Sequence, residues 1–96
     1  MEKPAIQRIR YQFFGTVQGV GFRYRAKCVA QLYDLTGWVD NLDDGSVVLE
    51  VQGPADKIPL VVPGICRGSQ WIEVRDMTVR EIPTVDGERG FHTRGW

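Results

Sequence analysis

The sequence is poor in the residues from which metal centres are built. It has only two cysteines and one histidine among its 96 residues. Cys28 and Cys66 stand far apart and outside any metal-ligand spacing, and His92 has no cluster of cysteines or carboxylates near it in the sequence. No recognisable metal-binding motif is therefore present. The pattern favours two reduced thiols that pack as small hydrophobic residues, while a single bridge between them stays an open alternative.

A charge excess and long apolar runs are also absent. Twelve Lys and Arg balance twelve Asp and Glu, whereas general nucleic-acid or membrane-surface binders carry a basic excess. No apolar run approaches the roughly 20 residues that span a bilayer, and the first residues, Met1–Pro4, lack the apolar core of a signal peptide. We therefore predict a cytoplasmic protein with no nucleic-acid partner and no membrane partner.

The composition that is present is typical of one small globular domain. The chain is 43% hydrophobic and 25% charged, and we predict a single domain with a modest core over residues 1–96. Hydrophobic residues alternate over 7–17, which predicts a strand, and change to helical spacing over 22–33. Further strands are predicted over 36–42, over 46–52 with an end at Gly53-Pro54, over 77–82 after a lead-in at 71–74, and over 91–96.

Residues 54–69 show a helical stripe, but Pro59 and Pro63 fall inside it. An interior proline costs a helix about 3 kcal/mol, so we predict a short, kinked or partly unwound second helix. The resulting order is strand, helix, strand, strand, helix, strand, with a possible fifth strand. This order predicts an α+β, ferredoxin-like fold with a mostly antiparallel sheet of four to five strands and both helices on one face.

The junction between the first strand and the first helix is the clearest candidate site. It reads Gly15-Thr16-Val17-Gln18-Gly19-Val20-Gly21-Phe22-Arg23. Its glycines permit a bend that lines up backbone N–H groups, and the helix that begins there adds orphan N–H groups and a positive dipole end. Such a place suits a phosphate or a carboxylate. Arg23 can donate two hydrogen bonds to the same anion.

The predicted topology brings Asn41 to the same edge of the sheet. A crossover helix makes the first two strands run in the same direction, so their carboxyl ends share one edge. Each residue alone has an ordinary interpretation: the glycines serve backbone geometry, Arg23 is a solvated charge, and Asn41 takes part in turn chemistry. Together they favour an anion site, because Arg23 opposes the helix dipole and a bound anion would remove that conflict.

These residues resemble the signature of the acylphosphatase family. The likeness covers the Gly15–Arg23 junction and a second motif over residues 36–47, Thr-Gly-Trp-Val-Asp-Asn-Leu-Asp-Asp-Gly-Ser-Val, which continues into Val51-Gln52-Gly53. The resemblance implies hydrolysis of the carboxyl–phosphate bond of small acyl phosphates without metal or cofactor. It implies that Asn41 orients the attacking water and that Arg23 is the other catalytic residue. It also implies a phosphate-binding loop made of Gln18, Gly19, Val20, Gly21, Phe22 and Arg23.

We expect a monomer for which inorganic phosphate is a product and a competitive inhibitor. Two other classes stay open. A non-catalytic module would bind phosphate or acyl phosphate without turnover. An RNA-binding domain could stack bases on Tyr11 and Phe13, although alternation predicts that both rings are core. The sequence departs from the family at Asp34, where many members carry glycine, and at the two prolines in a segment that is a regular helix in the family.

Overall fold

Over residues 4–95, a computed structural model describes a five-stranded sheet with two α-helices packed on one face. The strands are β1 (Ile6–Thr16), β2 (Thr36–Asn41), β3 (Val47–Pro54), β4 (Glu73–Ile82) and β5 (Phe91–Thr93), and the helices are α1 (Phe22–Leu32) and α2 (Val61–Arg67), with a 3-10 turn at Ile58–Leu60. The sheet order is β4-β1-β3-β2-β5. The predicted α+β, ferredoxin-like class is confirmed.

Strands β1 and β2 flank β3 and are both antiparallel to it. They therefore run in the same direction, and their carboxyl ends lie at one edge of the sheet, as the crossover argument predicts. The short β5 is parallel to β2 and forms the sheet edge on that side. Trp96, the last residue of the strand predicted over 91–96, lies outside the described residues.

Helix α1 begins where the glycine bend ends. Its N-cap is Gly21, and its buried stripe consists of Phe22, Ala26, Val29 and Ala30. The helix ends at Leu32, one residue before the predicted end. Asp34 lies in the left-handed region at φ 59°. The Leu35 N–H donates to the Ala30 carbonyl and the Asp34 N–H donates to the Gln31 carbonyl. This is a Schellman closure, so Asp34 takes the conformation that glycine usually supplies.

The second helix is short, as the two prolines predict. Pro59 lies in the 3-10 turn, and Pro63 lies in the first turn of α2, where its missing N–H has no intrahelical partner to lose. Val61 and Ile65 are buried. Arg25 on α1 donates from Nη2 to the Gly64 carbonyl at 3.0 Å. The shortened α2 is thus tied to α1 by a side chain.

The third strand ends at Gly53-Pro54 as predicted, but both residues still belong to β3, which runs two residues beyond the predicted 46–52. A Cβ on Gly53 would stand 2.3 Å from Leu35 Cδ2. The glycine is therefore needed where the Leu35 side chain packs against the strand. Tyr11 and Phe13 face the helices and are only 6% and 0% exposed, so the interpretation of both as core residues is confirmed.

The opposite face of the sheet carries an ion cluster around Arg8, which is 2% exposed. Arg8 forms salt bridges with Glu50 at 2.9 Å and with Glu88 at 2.7 Å, and Arg10 forms one with the other oxygen of Glu50 at 2.7 Å. Glu88 belongs to the segment between β4 and β5, so this cluster fastens that segment to the sheet. Neither helix in the described part of the chain has the length and apolar character that a membrane crossing needs.

Candidate active site

The glycine bend between β1 and α1 has the backbone conformation that glycine is suited to. Gly19 and Gly21 have φ values of 73° and 84°. A Cβ built on either residue would meet no atom within 4 Å, so these positions need glycine for their conformation and not for close packing. Within residues 4–95, the N–H groups of residues 19–22 donate no hydrogen bond to the protein. The bend therefore presents donors toward open space.

Phe22 fixes the start of α1 against the sheet. Its side chain is 2% exposed, and its ring centroid lies 4.9 Å from that of Phe13 on β1. This aromatic contact joins Phe13, whose ring faces the helices, to Phe22, which is the first residue of α1. The end of the bend that leads into α1 is thus anchored to the sheet by two buried rings.

A pocket of about 190 Å³ lies at the carboxyl edge of β1 and β2. It is lined by Val17, Gly19, Gly21, Phe22, Arg23, Tyr24 and Asn41. The structure thus brings the bend, Arg23 and Asn41 together, as the topology predicts. Gln18 and Val20, which the resemblance also places in the phosphate-binding loop, are not among the residues that line this pocket.

Gln18 has a different position, which the sequence did not indicate. Its Nε2 donates to the carbonyl of Leu42 at 2.7 Å and to the carbonyl of Ser46 at 2.9 Å. Both carbonyls belong to the β2–β3 turn. The side chain therefore fastens the glycine bend to the turn that follows Asn41. An amide side chain directly after a strand was the only local signal, and it did not identify its partners.

Arg23 lies in the first turn of α1 and is half-buried. Its Nη1 donates to the carbonyl of Arg94 at 2.6 Å. A Cβ on Gly95 would stand 3.3 Å from the same Nη1, so the segment after β5 passes close to the guanidinium. This hydrogen bond links the guanidinium to a residue 71 positions away. No local pattern could have revealed it.

Asn41 is the last residue of β2, and its Oδ1 is buried without a hydrogen-bond partner in the described part of the chain. Such an orphan acceptor costs about 1–3 kcal/mol unless a ligand or water satisfies it. The turn chemistry that Asn41 could have supplied is performed by Asp44. Asp44 Oδ1 accepts from the Ser46 N–H at 2.9 Å and from Ser46 Oγ at 2.5 Å, and these bonds lower the pKa of Asp44.

The described residues offer no metal site, since no three His, Cys, Asp or Glu side chains among them come together to hold an ion. Cys28 on α1 and Cys66 on α2 are free thiols. Burial raises the pKa of the Cys66 thiol above its ordinary value. The polar groups that line the pocket are backbone groups of the bend, the Arg23 guanidinium, the Tyr24 hydroxyl and the Asn41 amide.

Comparison with known proteins gives one consistent family. The family model described as Acylphosphatase matches residues 9–93. The Clostridium acetobutylicum acylphosphatase is 37% identical over 86 residues, which cover 90% of this chain and 94% of that protein. A crystal structure of acylphosphatase from Bacillus subtilis superposes with a TM-score of 0.85 at 35% identity, covering 93% of this chain and 99% of the other. A full-length HypF structure in a phosphate- and nucleotide-bound form is 32% identical with a TM-score of 0.85, over 98% of this chain and 12% of HypF.

Proposed function

The chain belongs to the acylphosphatase family, and we propose that the pocket formed by the glycine bend, Arg23 and Asn41 is its active site. The protein is an acylphosphatase, a hydrolase that cleaves the carboxyl–phosphate bond of small acyl phosphates. The observation that carries the site assignment is the shared pocket: anion donors and an unsatisfied amide oxygen line one cavity of about 190 Å³.

The phosphoryl group binds at the bend. Its oxygens accept hydrogen bonds from the N–H groups of residues 18–22 and from the Arg23 guanidinium, beside the positive end of the α1 dipole. The donors are held in place before the substrate arrives, because Phe22 and Gln18 anchor both ends of the bend. Donors fixed in this way stabilise the charge that shifts onto the phosphoryl oxygens in the transition state.

The attacking water binds to Asn41. The water donates one hydrogen bond to Oδ1, and its lone pair faces phosphorus. Holding the water there replaces a bimolecular encounter with a positioned attack. A water in this place also satisfies the buried Oδ1, which has no partner among residues 4–95.

The bond changes need no acid, base or metal from the protein. The water oxygen bonds to phosphorus, the bond between phosphorus and the carboxyl oxygen breaks, and the carboxylate leaves with the electron pair. A carboxylate is a much weaker base than an alkoxide, so its departure needs no protonation. The proton of the attacking water passes to a phosphoryl oxygen, which gives inorganic phosphate as the second product.

Benzoyl phosphate hydrolysis tests the assignment, with inorganic phosphate as a competitor. The wild-type protein should hydrolyse benzoyl phosphate, and phosphate should raise KM without lowering kcat. Arg23→Ala should abolish both turnover and phosphate binding. Arg75→Ala is the matched control, because Arg75 lies on the exposed edge strand β4 in a salt bridge whose partners are 66% and 63% exposed. Near-normal hydrolysis by Arg23→Ala would contradict the assignment.

We also propose that the enzyme acts as a monomer in the cytoplasm, with no nucleic-acid or membrane partner. Two free thiols suit a reducing compartment. The proposed site takes all its residues from one chain and needs no second copy. Size-exclusion chromatography with light scattering measures the oligomeric state. Phosphate binding without turnover would instead favour a non-catalytic phosphate-binding module.

A further inference from the structure

A second pocket adjoins the proposed phosphate pocket. Its volume is about 380 Å³, and it is lined by Arg23, Tyr24, Lys27, Thr93 and Gly95. Arg23 and Tyr24 line both pockets. A substrate that is held by its phosphoryl group at the bend therefore has a second space beside it, which shares the Arg23 and Tyr24 side chains.

The walls of the second pocket combine an aromatic ring, a hydroxyl and a cation. Tyr24 is 70% exposed, so its ring offers an apolar surface that the protein itself does not cover. Thr93, the last residue of β5, lines the pocket from the sheet edge. Lys27 lines it from α1. These groups suit an organic group that has an apolar body and a polar or negatively charged end.

Lys27 adds a second positive charge to the side of α1 that carries Arg23. Lys27 follows Arg23 by four residues, so both cations lie on the same side of the helix. The first turn of α1 contains no acidic residue, and cations there oppose the helix dipole. No salt bridge among residues 4–95 involves Lys27. A ligand with a negative charge near Lys27 gives this cation a counter-charge that the described residues do not supply as a salt bridge.

We propose that the second pocket receives the acyl group and that Lys27 favours acyl phosphates whose acyl group carries a second negative charge. The proposal rests on the proposed function of the neighbouring pocket. Lys27 acts here as a specificity-determining residue: it attracts the acyl end of the substrate and takes no part in bond cleavage. A carboxylate or a phosphate on the acyl group supplies the same charge.

The test compares 4-carboxybenzoyl phosphate with benzoyl phosphate. The two have the same ring and the same scissile bond, and they differ in one carboxylate. The readout is the ratio of their kcat/KM values. Two opposite unit charges about 4 Å apart in water attract by about 1 kcal/mol, which corresponds to about a five-fold change in kcat/KM. The ratio should therefore fall about five-fold in Lys27→Gln and further in Lys27→Glu, while Lys27→Arg should keep it. Salt should lower the wild-type ratio.

Lys57→Gln is the matched control, because Lys57 caps the 3-10 turn at Ile58–Leu60 and does not line either pocket. It removes the same charge and should leave the ratio unchanged. An unchanged ratio in both Lys27→Gln and Lys27→Glu would overturn the proposal. A wild-type protein that hydrolyses neither compound would instead overturn the proposed function. The isomer 3-carboxybenzoyl phosphate, assayed in parallel, covers a second placement of the charge.

Discussion

Removing the Gln18 side chain should weaken phosphate binding although that side chain does not line the phosphate pocket. Gln18 Nε2 donates two hydrogen bonds, at 2.7 and 2.9 Å, to the carbonyls of Leu42 and Ser46. Each such bond contributes about 1 kcal/mol net. Gln18→Ala should therefore lower the free energy of unfolding by about 2 kcal/mol. Because both bonds fasten the bend to the β2–β3 turn, part of this loss should appear as poorer alignment of the phosphate donors.

Gln12→Ala is the comparison that separates stability from function. Gln12 also donates to Ser46, but by one bond of 3.0 Å to the side-chain Oγ, from the sheet face opposite the helices. Gln12→Ala should lower the free energy of unfolding by about 1 kcal/mol and leave kcat and KM for benzoyl phosphate unchanged. Gln18→Ala should raise the inhibition constant of inorganic phosphate and lower kcat/KM for benzoyl phosphate several-fold.

The assay combines thermal unfolding with inhibition by phosphate. In a domain of this size, about 1 kcal/mol shifts Tm by roughly 4–8 °C, so the two variants should differ clearly in Tm. If Gln18→Ala unfolds at a lower temperature but keeps the wild-type inhibition constant and kcat/KM, the geometry of the bend does not depend on the two Gln18 hydrogen bonds. The proposed role of Gln18 in positioning the phosphate donors would then be refuted.

Two further predictions concern stability. Asp34→Gly should stabilise the fold by about 0.5–1 kcal/mol, because Asp34 holds a left-handed conformation at a Schellman closure; an unchanged or lower Tm would contradict this. Burial alone would raise the pKa of Glu88, but the hydrogen bond and positive charge of Arg8 are the main opposing causes, so the pKa lies below its usual 4.5. The stability that this carboxylate contributes is present above the unfolded pKa and is lost as pH falls through the folded pKa. Glu88→Gln should therefore cost about 1.5–3 kcal/mol at pH 7 and progressively less in urea unfolding below pH 4.5. As a control, Glu73→Gln removes an exposed carboxylate and should change the free energy of unfolding little at pH 7 or below pH 4.5. A difference in unfolding free energy between wild type and Glu88→Gln that stays constant with pH would contradict this pH dependence.

Local sequence patterns predict most of this fold because its elements have clear periods and clear ends. The alternation of β1, the helical stripe of α1 and the glycine bend between them all appear within one residue of their predicted bounds. The parallel direction of β1 and β2 follows from connectivity alone. Pro59 and Pro63 likewise predict the short α2, since proline restricts where a helix can begin.

The contacts that complete the site could not be predicted, because they join residues far apart in the chain. The Gln18 side chain reaches residues 24 and 28 positions away, and Arg23 reaches a carbonyl 71 positions away. The inclusion of Gly53 and Pro54 in β3 could not be predicted for a similar reason. Glycine usually marks a turn, but Gly53 serves a close approach by Leu35, which lies in a different element. Such packing has no local signature.

The central claim is that Arg23 binds the phosphoryl group while Asn41 holds the attacking water. The most direct test measures phosphate affinity by calorimetry and kcat for benzoyl phosphate in the same Asn41→Ala sample. Loss of a positioned water should lower kcat by on the order of 10²-fold, while the phosphate Kd should stay within about two-fold of the wild-type value. An equal loss of both quantities in Asn41→Ala, or an unchanged kcat, would contradict the division of roles between the two residues.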